Sequence, residues 1–163
     1  MAELPQARNT PILGDSEFHK AIDDILETAS RSVRIFERSL GREYNSPHRV
    51  DALRRYLLAS RRNRLLIVLH DASTMDRNCP RLLLLLRQYS HAISIHETIA
   101  SAKAVYDPFV IVDDRHFVHR FHYDEMRGLA TLDDPIEAHS LVERFDELWE
   151  ASLPAASATT LGL

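Results

Sequence analysis

The chain has 163 residues, 45% of them hydrophobic and 27% charged, which is the composition of one ordinary globular domain. Its formal net charge of −4 argues against a general nucleic-acid binder, and its single cysteine, Cys79, excludes an internal disulfide. No apolar run approaches the ~20 residues of a membrane span, and Met1–Gly14 lacks the apolar stretch of a signal peptide, so we expect a cytoplasmic protein with no membrane partner.

The first half of the chain predicts two helices and two strands after an irregular start. Residues 1–14 are expected to be irregular because prolines and a glycine interrupt them. From Asp15 apolar residues recur at three- and four-residue spacing, which predicts a helix, and Val33–Glu37 alternates as a short strand does. A cap signal followed by proline starts a second helix over residues 47–61, and the apolar run Leu65–Leu69 predicts a strand covered on both faces.

The second half predicts a third helix, three strands and a final helix. In chain order these are Pro80–Tyr89, Ala92–Glu97, Asp107–Asp113, His116–Phe121 and a helix that begins at Pro135. Asp113 and Asp114 are predicted to form a tight turn between two of the strands, because aspartate tolerates turn geometry. Residues 153–163 are small and polar and are expected to be disordered, which leaves one domain over residues 15–152.

The order of these elements, α-β-α-β-α-β-β-β-α, predicts the fold class. Alternating helices and strands favour an α/β domain with a mixed, mostly parallel sheet and helices on both faces. The five consecutive leucines Leu82–Leu86 are apolar all around their helix. They belong either to a deep core or to a subunit interface, and the second alternative predicts a homodimer.

Three segments resemble the phospholipase D-like superfamily, in the order and spacing of that family. Ala59–Leu69 is similar to its helix-to-strand passage, Tyr106–Asp113 to its signature strand HxKxxxxD, and Asp134–Trp149 to its closing helix. The resemblance implies half of a molecule that usually has two halves. It further implies a domain of an uncharacterised bacterial type.

The signature positions depart from the family in a way that bears on catalysis. With Asp113 as the motif aspartate, Tyr106 stands at the histidine position and Pro108 at the lysine position. In the family the histidine attacks phosphorus and the lysine stabilises the phosphate charge. The family's Gly-Ser tract is also replaced, by Val118–His122. The resemblance therefore implies a degenerate, non-catalytic domain with no cofactor.

Other polar residues near the signature strand are candidates for a cleft or an anion site. Asp107 and Arg120 are expected near each other, as a structural ion pair or as a remnant of anion recognition, and His122 is a third candidate. His116, His119 and His122 do not have a zinc spacing, and along a strand the outer two would stand roughly 20 Å apart. We therefore expect no metal site.

Three functions remain open from the sequence. The leading hypothesis is a non-catalytic binding or scaffold domain, with a partner protein or a small anionic ligand that is unknown. The first alternative is a phosphodiester-processing enzyme with altered residues such as Tyr106, Asp107, Arg120 and His122. The second is a nucleic-acid-binding module that uses an arginine cluster, although the acidic net charge makes nucleic acid an unexpected partner. The members of that cluster are Arg54, Arg55, Arg61, Arg62 and Arg64.

Overall fold

The structure is a computed structural model, in which residues 7–156 are described. The expectations for residues 1–6 and 157–163 lie outside this range. The strands are β1 (Arg8–Leu13), β2 (Val33–Glu37), β3 (Leu65–Leu69), β4 (Ile93–Thr98), β5 (Phe109–Val112), β6 (His116–Arg120), β7 (Arg127–Leu132) and β8 (Ser152–Ala156). The α-helices are α1 (Asp15–Glu27), α2 (Pro47–Ala59), α3 (Met75–Asn78), α4 (Pro80–Gln88) and α5 (Pro135–Glu150). Two short 3-10 helices lie at Arg42–Asn45 and Ala100–Ala102.

The strands form one mixed sheet in the order β1-β7-β6-β5-β2-β3-β4-β8. Only β2, β3 and β4 pair in parallel, with Val33 beside Leu65 and Leu65 beside Ile93. Strand β5 pairs with β2 in the antiparallel sense, and so do the remaining neighbours. The prediction of an α/β fold is confirmed, but the expectation of a mostly parallel sheet is wrong. The hairpins of β5, β6 and β7 and the two outer strands supply most of the pairings.

Helices cover both faces of the sheet, as the sequence predicts. Side chains alternate along each strand, so Val33 and Ile35 of β2 point to one face and Phe36 to the other. The first face packs against α1, α2 and α4, and the second against α5. This alternation separates two sets of polar residues at the end of the sheet, one on each face.

Two helices begin at the predicted cap residues. The hydroxyl of Ser46 accepts the backbone N–H of Arg49 at 3.1 Å at the start of α2. The carboxylate of Asp134 accepts the backbone N–H of Glu137 at 3.1 Å at the start of α5. Each cap residue is followed by a proline at the first helical position, where a missing N–H costs nothing.

Both outer strands lie where irregular or disordered chain was expected. Residues 8–13 form β1 and pair with β7, and residues 152–156 form β8 and pair with β4. Pro11 and Pro154 are tolerated because both strands are at the edges of the sheet, where one side of the backbone needs no partner. The expectation of irregular structure for residues 8–13 and of disorder for residues 153–156 is therefore wrong.

The leucine run belongs mainly to the core of its own chain. Leu82, Leu85 and Leu86 are buried between α4 and the sheet, and Leu83 packs partly against the same core. Leu84 alone of the five is exposed, at 53%. The run therefore carries less free apolar surface than a dimer interface would need, and homodimer formation stays a prediction.

The fold gives the sheet two functionally different ends. The cleft end consists of the C-terminal ends of β2 and β3, the segment before β5 and the segment after β6. The opposite end holds the starts of β2, β3 and β4 and the turn between β5 and β6. No helix among residues 7–156 is both long and apolar enough to cross a bilayer.

Candidate functional site

The signature positions are divided between the two ends of the sheet. Tyr106 and Pro108 precede β5 at the cleft end, whereas Asp113 follows β5 at the opposite end. The ring of Tyr106 is 43% exposed, and Pro108 is buried. The positions of the family's histidine and lysine therefore hold one exposed phenol and one buried ring without a side-chain donor.

Tyr106 belongs to an aromatic cluster. Its ring centroid lies 5.3 Å from that of His122 and 5.5 Å from that of Tyr123. The guanidinium carbon of Arg38 lies 4.9 Å from the centre of the Tyr123 ring, within the range of a cation–π contact. Arg38 makes no ion pair within residues 7–156. We call Arg38, Tyr106, His122 and Tyr123 the aromatic cluster.

The buried side chain of His70 holds the loop that carries Tyr106. The His70 side chain is buried, with Nδ1 at 2.7 Å from the hydroxyl of Thr98 and Nε2 at 2.6 Å from the carbonyl oxygen of Val105. The ammonium of Lys103 donates to the carbonyl oxygen of His70. Burial lowers the pKa of His70, so the neutral ring holds this loop against β3.

A backbone hydrogen bond connects Arg120 with Pro108 at the cleft end. The N–H of Arg120 donates to the carbonyl oxygen of Pro108 at 2.9 Å. The Arg120 guanidinium is 3.2 Å from a carboxylate oxygen of Asp15 and donates to the carbonyl oxygen of Glu125 at 2.6 Å. Arg120 is therefore near the signature strand, as expected, but its donors are committed within the chain.

The expected pair of Asp107 with Arg120 is wrong. Asp107 lies on the α5 side of the sheet, where it accepts His119 Nε2 at 2.8 Å and pairs with Arg144. Burial alone would raise the pKa of Asp107, but the hydrogen bond from His119 and the charge of Arg144 hold it below its usual range. Residues 107 and 120 point to opposite faces, so strand alternation prevents the contact.

Glu37 lies at the end of β2 on the face that Arg120 occupies. Its side chain keeps only a small exposed fraction, and removal of the carboxylate from water raises its pKa to about 8. The charge of Arg120 acts in the opposite direction but is outweighed. A carboxyl with this pKa keeps its proton at neutral pH and can donate a hydrogen bond at the cleft end.

Behind Glu37 lies a buried polar cluster between α1 and α2. Arg49 is 1% exposed, and its Nε lies 2.7 Å from a carboxylate oxygen of Asp23. Its guanidinium carbon is 4.5 Å from the centre of the buried Tyr44 ring. Within residues 7–156, the buried atoms Arg49 Nη1, Tyr44 Oη and His19 Nδ1 have no hydrogen-bond partner. This cluster supports the cleft end from the inside.

Asp113 organises the opposite end. Its carboxylate accepts the backbone N–H groups of Ser30, Arg31 and Ser32 at 3.1, 2.7 and 3.0 Å. Burial alone would raise the pKa of Asp113, but these N–H groups hold it below its usual range. Asp113 and Asp114 both have positive φ, 57° and 55°, as the predicted tight turn requires. Asp113 therefore also holds the loop between α1 and β2.

The three histidines of the β6 region stay apart. His116 accepts the backbone N–H of Asp133 at 3.1 Å, and His119 contacts Asp107 on the other face. His122 Nδ1 accepts the N–H of Asp124 at 3.0 Å within the aromatic cluster. No group of three or more His, Cys, Asp or Glu side chains in residues 7–156 is arranged to hold a metal ion.

Sequence reasoning missed Glu37, Arg38, Tyr44, Arg49 and Tyr123. Glu37 and Arg38 directly follow a strand of the parallel part of the sheet, and ligands of open α/β sheets bind at such strand ends. That rule could have found these two residues. Tyr44, Arg49 and Tyr123 carry no local signal, because only the tertiary contacts bring them to this end.

A protein-family model matches most of the chain. A family model with the description "Domain of unknown function (DUF7931)" matches residues 15–161. A search of curated protein sequences finds no match.

Solved structures share the fold at low sequence identity. TrmBL2, an archaeal chromatin protein, has a TM-score of 0.68 at 13% identity over 94% of this chain and 56% of that one. Nuc from Salmonella typhimurium, a phospholipase D family member, has a TM-score of 0.63 at 15% identity over 93% of this chain and 100% of that one. Phosphatidylserine synthase from Haemophilus influenzae has a TM-score of 0.61 at 17% identity over 98% of this chain and 42% of that one.

These similarities show the phospholipase D-like fold that the sequence resemblance implies. The chain covers 56% of the length of TrmBL2 and 42% of the synthase. At such identities the likeness extends to the fold and not to the activity of either protein.

Proposed function

The chain belongs to the family described as a domain of unknown function, DUF7931, and we propose that it is a phospholipase D-like module that binds a small anionic ligand without cleaving it. The observation that carries this proposal is the composition of the cleft end. The two positions that supply a nucleophile and a cation in the family hold Tyr106 and a buried Pro108. A phosphodiester bound here would meet neither group at those positions.

The remaining polar groups at the cleft end do not replace the missing pair. Arg120 is held by Asp15 and by the carbonyl oxygen of Glu125, and His119 by Asp107. His122 lies among aromatic rings, with Nδ1 accepting the N–H of Asp124. A catalytic histidine works best with a carboxylate or carbonyl group that orients it, and no such group hydrogen-bonds to the His122 ring within residues 7–156.

The aromatic cluster offers the means to bind. Arg38 is exposed and makes no ion pair within the described range, so its guanidinium can donate two hydrogen bonds to a phosphate or carboxylate. The rings of Tyr106, His122 and Tyr123, which are tilted against one another, provide an aromatic surface beside that charge. An anion with an attached planar or apolar group fits this combination.

A similar structure supports a binding role for this fold. TrmBL2 is described as a chromatin protein with a novel mode of DNA binding. The phospholipase D-like fold is therefore compatible with binding functions as well as with the enzymes that share it.

A titration with inorganic pyrophosphate tests the proposal. We expect its addition to shift the NMR amide signals of Arg38, Tyr106 and Tyr123, and we expect Arg38→Gln to weaken the response at least about fivefold, a loss of roughly 1 kcal/mol. Arg42→Gln is the matched control, because Arg42 is also exposed but lies outside the aromatic cluster. Equal responses of both variants, or shifts confined to other parts of the sheet, would count against a ligand site here.

A further inference from the structure

The end of the sheet opposite the cleft carries an unusual concentration of arginine. The loop before β3, residues 60–64, contains three arginines and no aspartate or glutamate, in a chain whose net charge is −4. The exposed basic residues that precede β2, β3 and β4 at this end of the sheet are Arg31, Arg61, Arg62, Arg64 and His91. We call these five residues the arginine edge.

The sheet register brings the arginine edge together. Val33, Leu65 and Ile93 are paired at the starts of three neighbouring parallel strands, so the residues just before them lie side by side. The backbone N–H of Leu65 donates to the carbonyl oxygen of Ala92 at 2.8 Å, which places Arg64 next to His91 in the sheet. The edge is thus one continuous surface built from three loops.

The acidic groups at this end are committed to other partners. Asp113 accepts the backbone N–H groups of Ser30, Arg31 and Ser32, and Asp114 pairs with Arg34. Within the described residues, neither Arg61 nor Arg62 takes part in an ion pair. The charges of Arg61 and Arg62 are therefore not paired within the described residues, although the net charge of the whole protein is negative.

The loop that presents Arg61 and Arg62 is held rigidly. The buried amide of Asn63 donates to the carbonyl oxygen of Tyr56 at 2.7 Å. The Tyr56 hydroxyl donates to the carbonyl oxygen of Arg64 at 2.6 Å and accepts its N–H at 3.1 Å. A fixed loop loses little conformational entropy when its side chains engage a ligand.

We infer that the arginine edge binds the sugar–phosphate backbone of a nucleic acid, without reading its sequence. Guanidinium groups match phosphates bidentately, and several on one surface give the salt-dependent affinity of backbone contacts. A cavity of about 230 Å³ beside Arg61 is also lined by Tyr89 and by His91 of the arginine edge. Leu58 is the one bulky apolar side chain exposed at that cavity, which favours a polyanion over a lipid surface.

This inference is independent of the cleft end, because the two surfaces lie at opposite ends of the same strands. It also departs from the expectation drawn from the net charge. The whole-chain value averages the acidic remainder with the loop of residues 60–64, which has three arginines and no carboxylate.

Fluorescence anisotropy with a short labelled DNA duplex and its single strand tests the inference. We expect wild-type protein to bind at least one of the two, with an affinity that falls steeply between about 50 and 200 mM salt. Arg61→Gln/Arg62→Gln should weaken binding about tenfold and lower the slope of log affinity against log salt by about 2, one unit for each lost phosphate contact. Arg42→Gln/Arg77→Gln removes the same charge from exposed positions elsewhere and should leave both quantities within about twofold of wild type.

Three results would overturn the inference. The first is no anisotropy change with either DNA at low salt. The second is an equal loss in the control variant, which would indicate an unspecific charge effect. The third is binding to vesicles that contain phosphatidylserine but not to DNA, which would assign the edge to an anionic membrane surface. Binding to duplex or to single strand alone supports the inference and identifies the preferred form.

Discussion

The carboxylate of Asp113 accepts the backbone N–H of Arg31 at 2.7 Å, and this bond joins two residues 82 positions apart in the chain. The contact anchors the loop before β2 to the turn that follows β5. The one signature residue that this chain retains is thus a structural residue at the end of the sheet remote from the cleft.

We predict that Asp113→Asn lowers the free energy of unfolding by about 2 kcal/mol, because an amide places donors against the backbone N–H groups of the loop. Asparagine tolerates the positive φ of 57°, so the substitution isolates the hydrogen bonds from backbone strain. Asp114→Asn is the matched control, with φ 55° and an exposed side chain, and should cost less than about 0.5 kcal/mol. Urea unfolding measures both. Equal losses would show that the turn and not the loop contact matters.

Glu37 gives the protein a distinctive pH dependence. Its pKa rises from 4.5 to about 8 on folding, so the unfolded chain releases this proton first as the pH increases. The free energy of unfolding should therefore fall between those two values, by up to about 1.4 kcal/mol per pH unit, and level off above them. Glu37→Gln should flatten this decline. An unchanged slope in the variant would mean that Glu37 ionises normally in the folded protein.

We expect the removal of Arg49 from its ion pair with Asp23 to cost more free energy of unfolding than the removal of both residues. Arg49→Met leaves Asp23 without its cation and should cost about 3 kcal/mol, whereas Arg49→Met/Asp23→Leu should recover most of that loss. Arg54→Met removes an exposed pair with Asp51 from the same helix and should cost less than about 1 kcal/mol. Thermal and urea unfolding of the wild-type protein and the three variants measures these differences in free energy. A double variant as unstable as Arg49→Met would indicate that Arg49 acts through packing on Tyr44.

Homodimer formation is predicted from the half-molecule resemblance, and Leu84 on α4 is the exposed residue of the leucine run at which it can be probed. Light scattering at micromolar concentration should give twice the mass of one chain, and Leu84→Lys should shift the protein toward one chain mass. Leu82 is no suitable probe, because it is buried in the core of its own chain. A single-chain mass for the wild-type protein at high concentration would contradict this prediction.

Local sequence patterns predicted most elements that alternate or repeat clearly. The helix from Asp15 and the strands Val33–Glu37 and Leu65–Leu69 agree with the structure. Strand β1 was missed because RNTPIL contains a proline, has little alternation and is exposed at most positions. The antiparallel neighbour of β2 was missed because strand order depends on contacts between β2 and β5, which neither segment encodes alone.

The site was predicted less completely than the fold. Tyr106 and His122 lie together, yet the partners that define the aromatic cluster, Arg38 and Tyr123, come from other loops. The pairing of Asp107 was misjudged because proximity along the sequence does not reveal which face of the sheet a side chain occupies. His119 and Arg144 each bind one carboxylate oxygen of Asp107 on the α5 side, and Arg144 lies on a helix that sequence spacing does not connect with β5.

Hydrolysis of bis-p-nitrophenyl phosphate tests most directly whether this module binds without catalysis. Because the resemblance assigns Tyr106 and Pro108 to the positions of the nucleophile and the cation, we predict that release of p-nitrophenol by the purified protein equals that of buffer, and that His122→Ala and Tyr106→Phe change nothing. Turnover above buffer that is lost in either variant would contradict the account and assign the cleft end to an enzyme with altered residues.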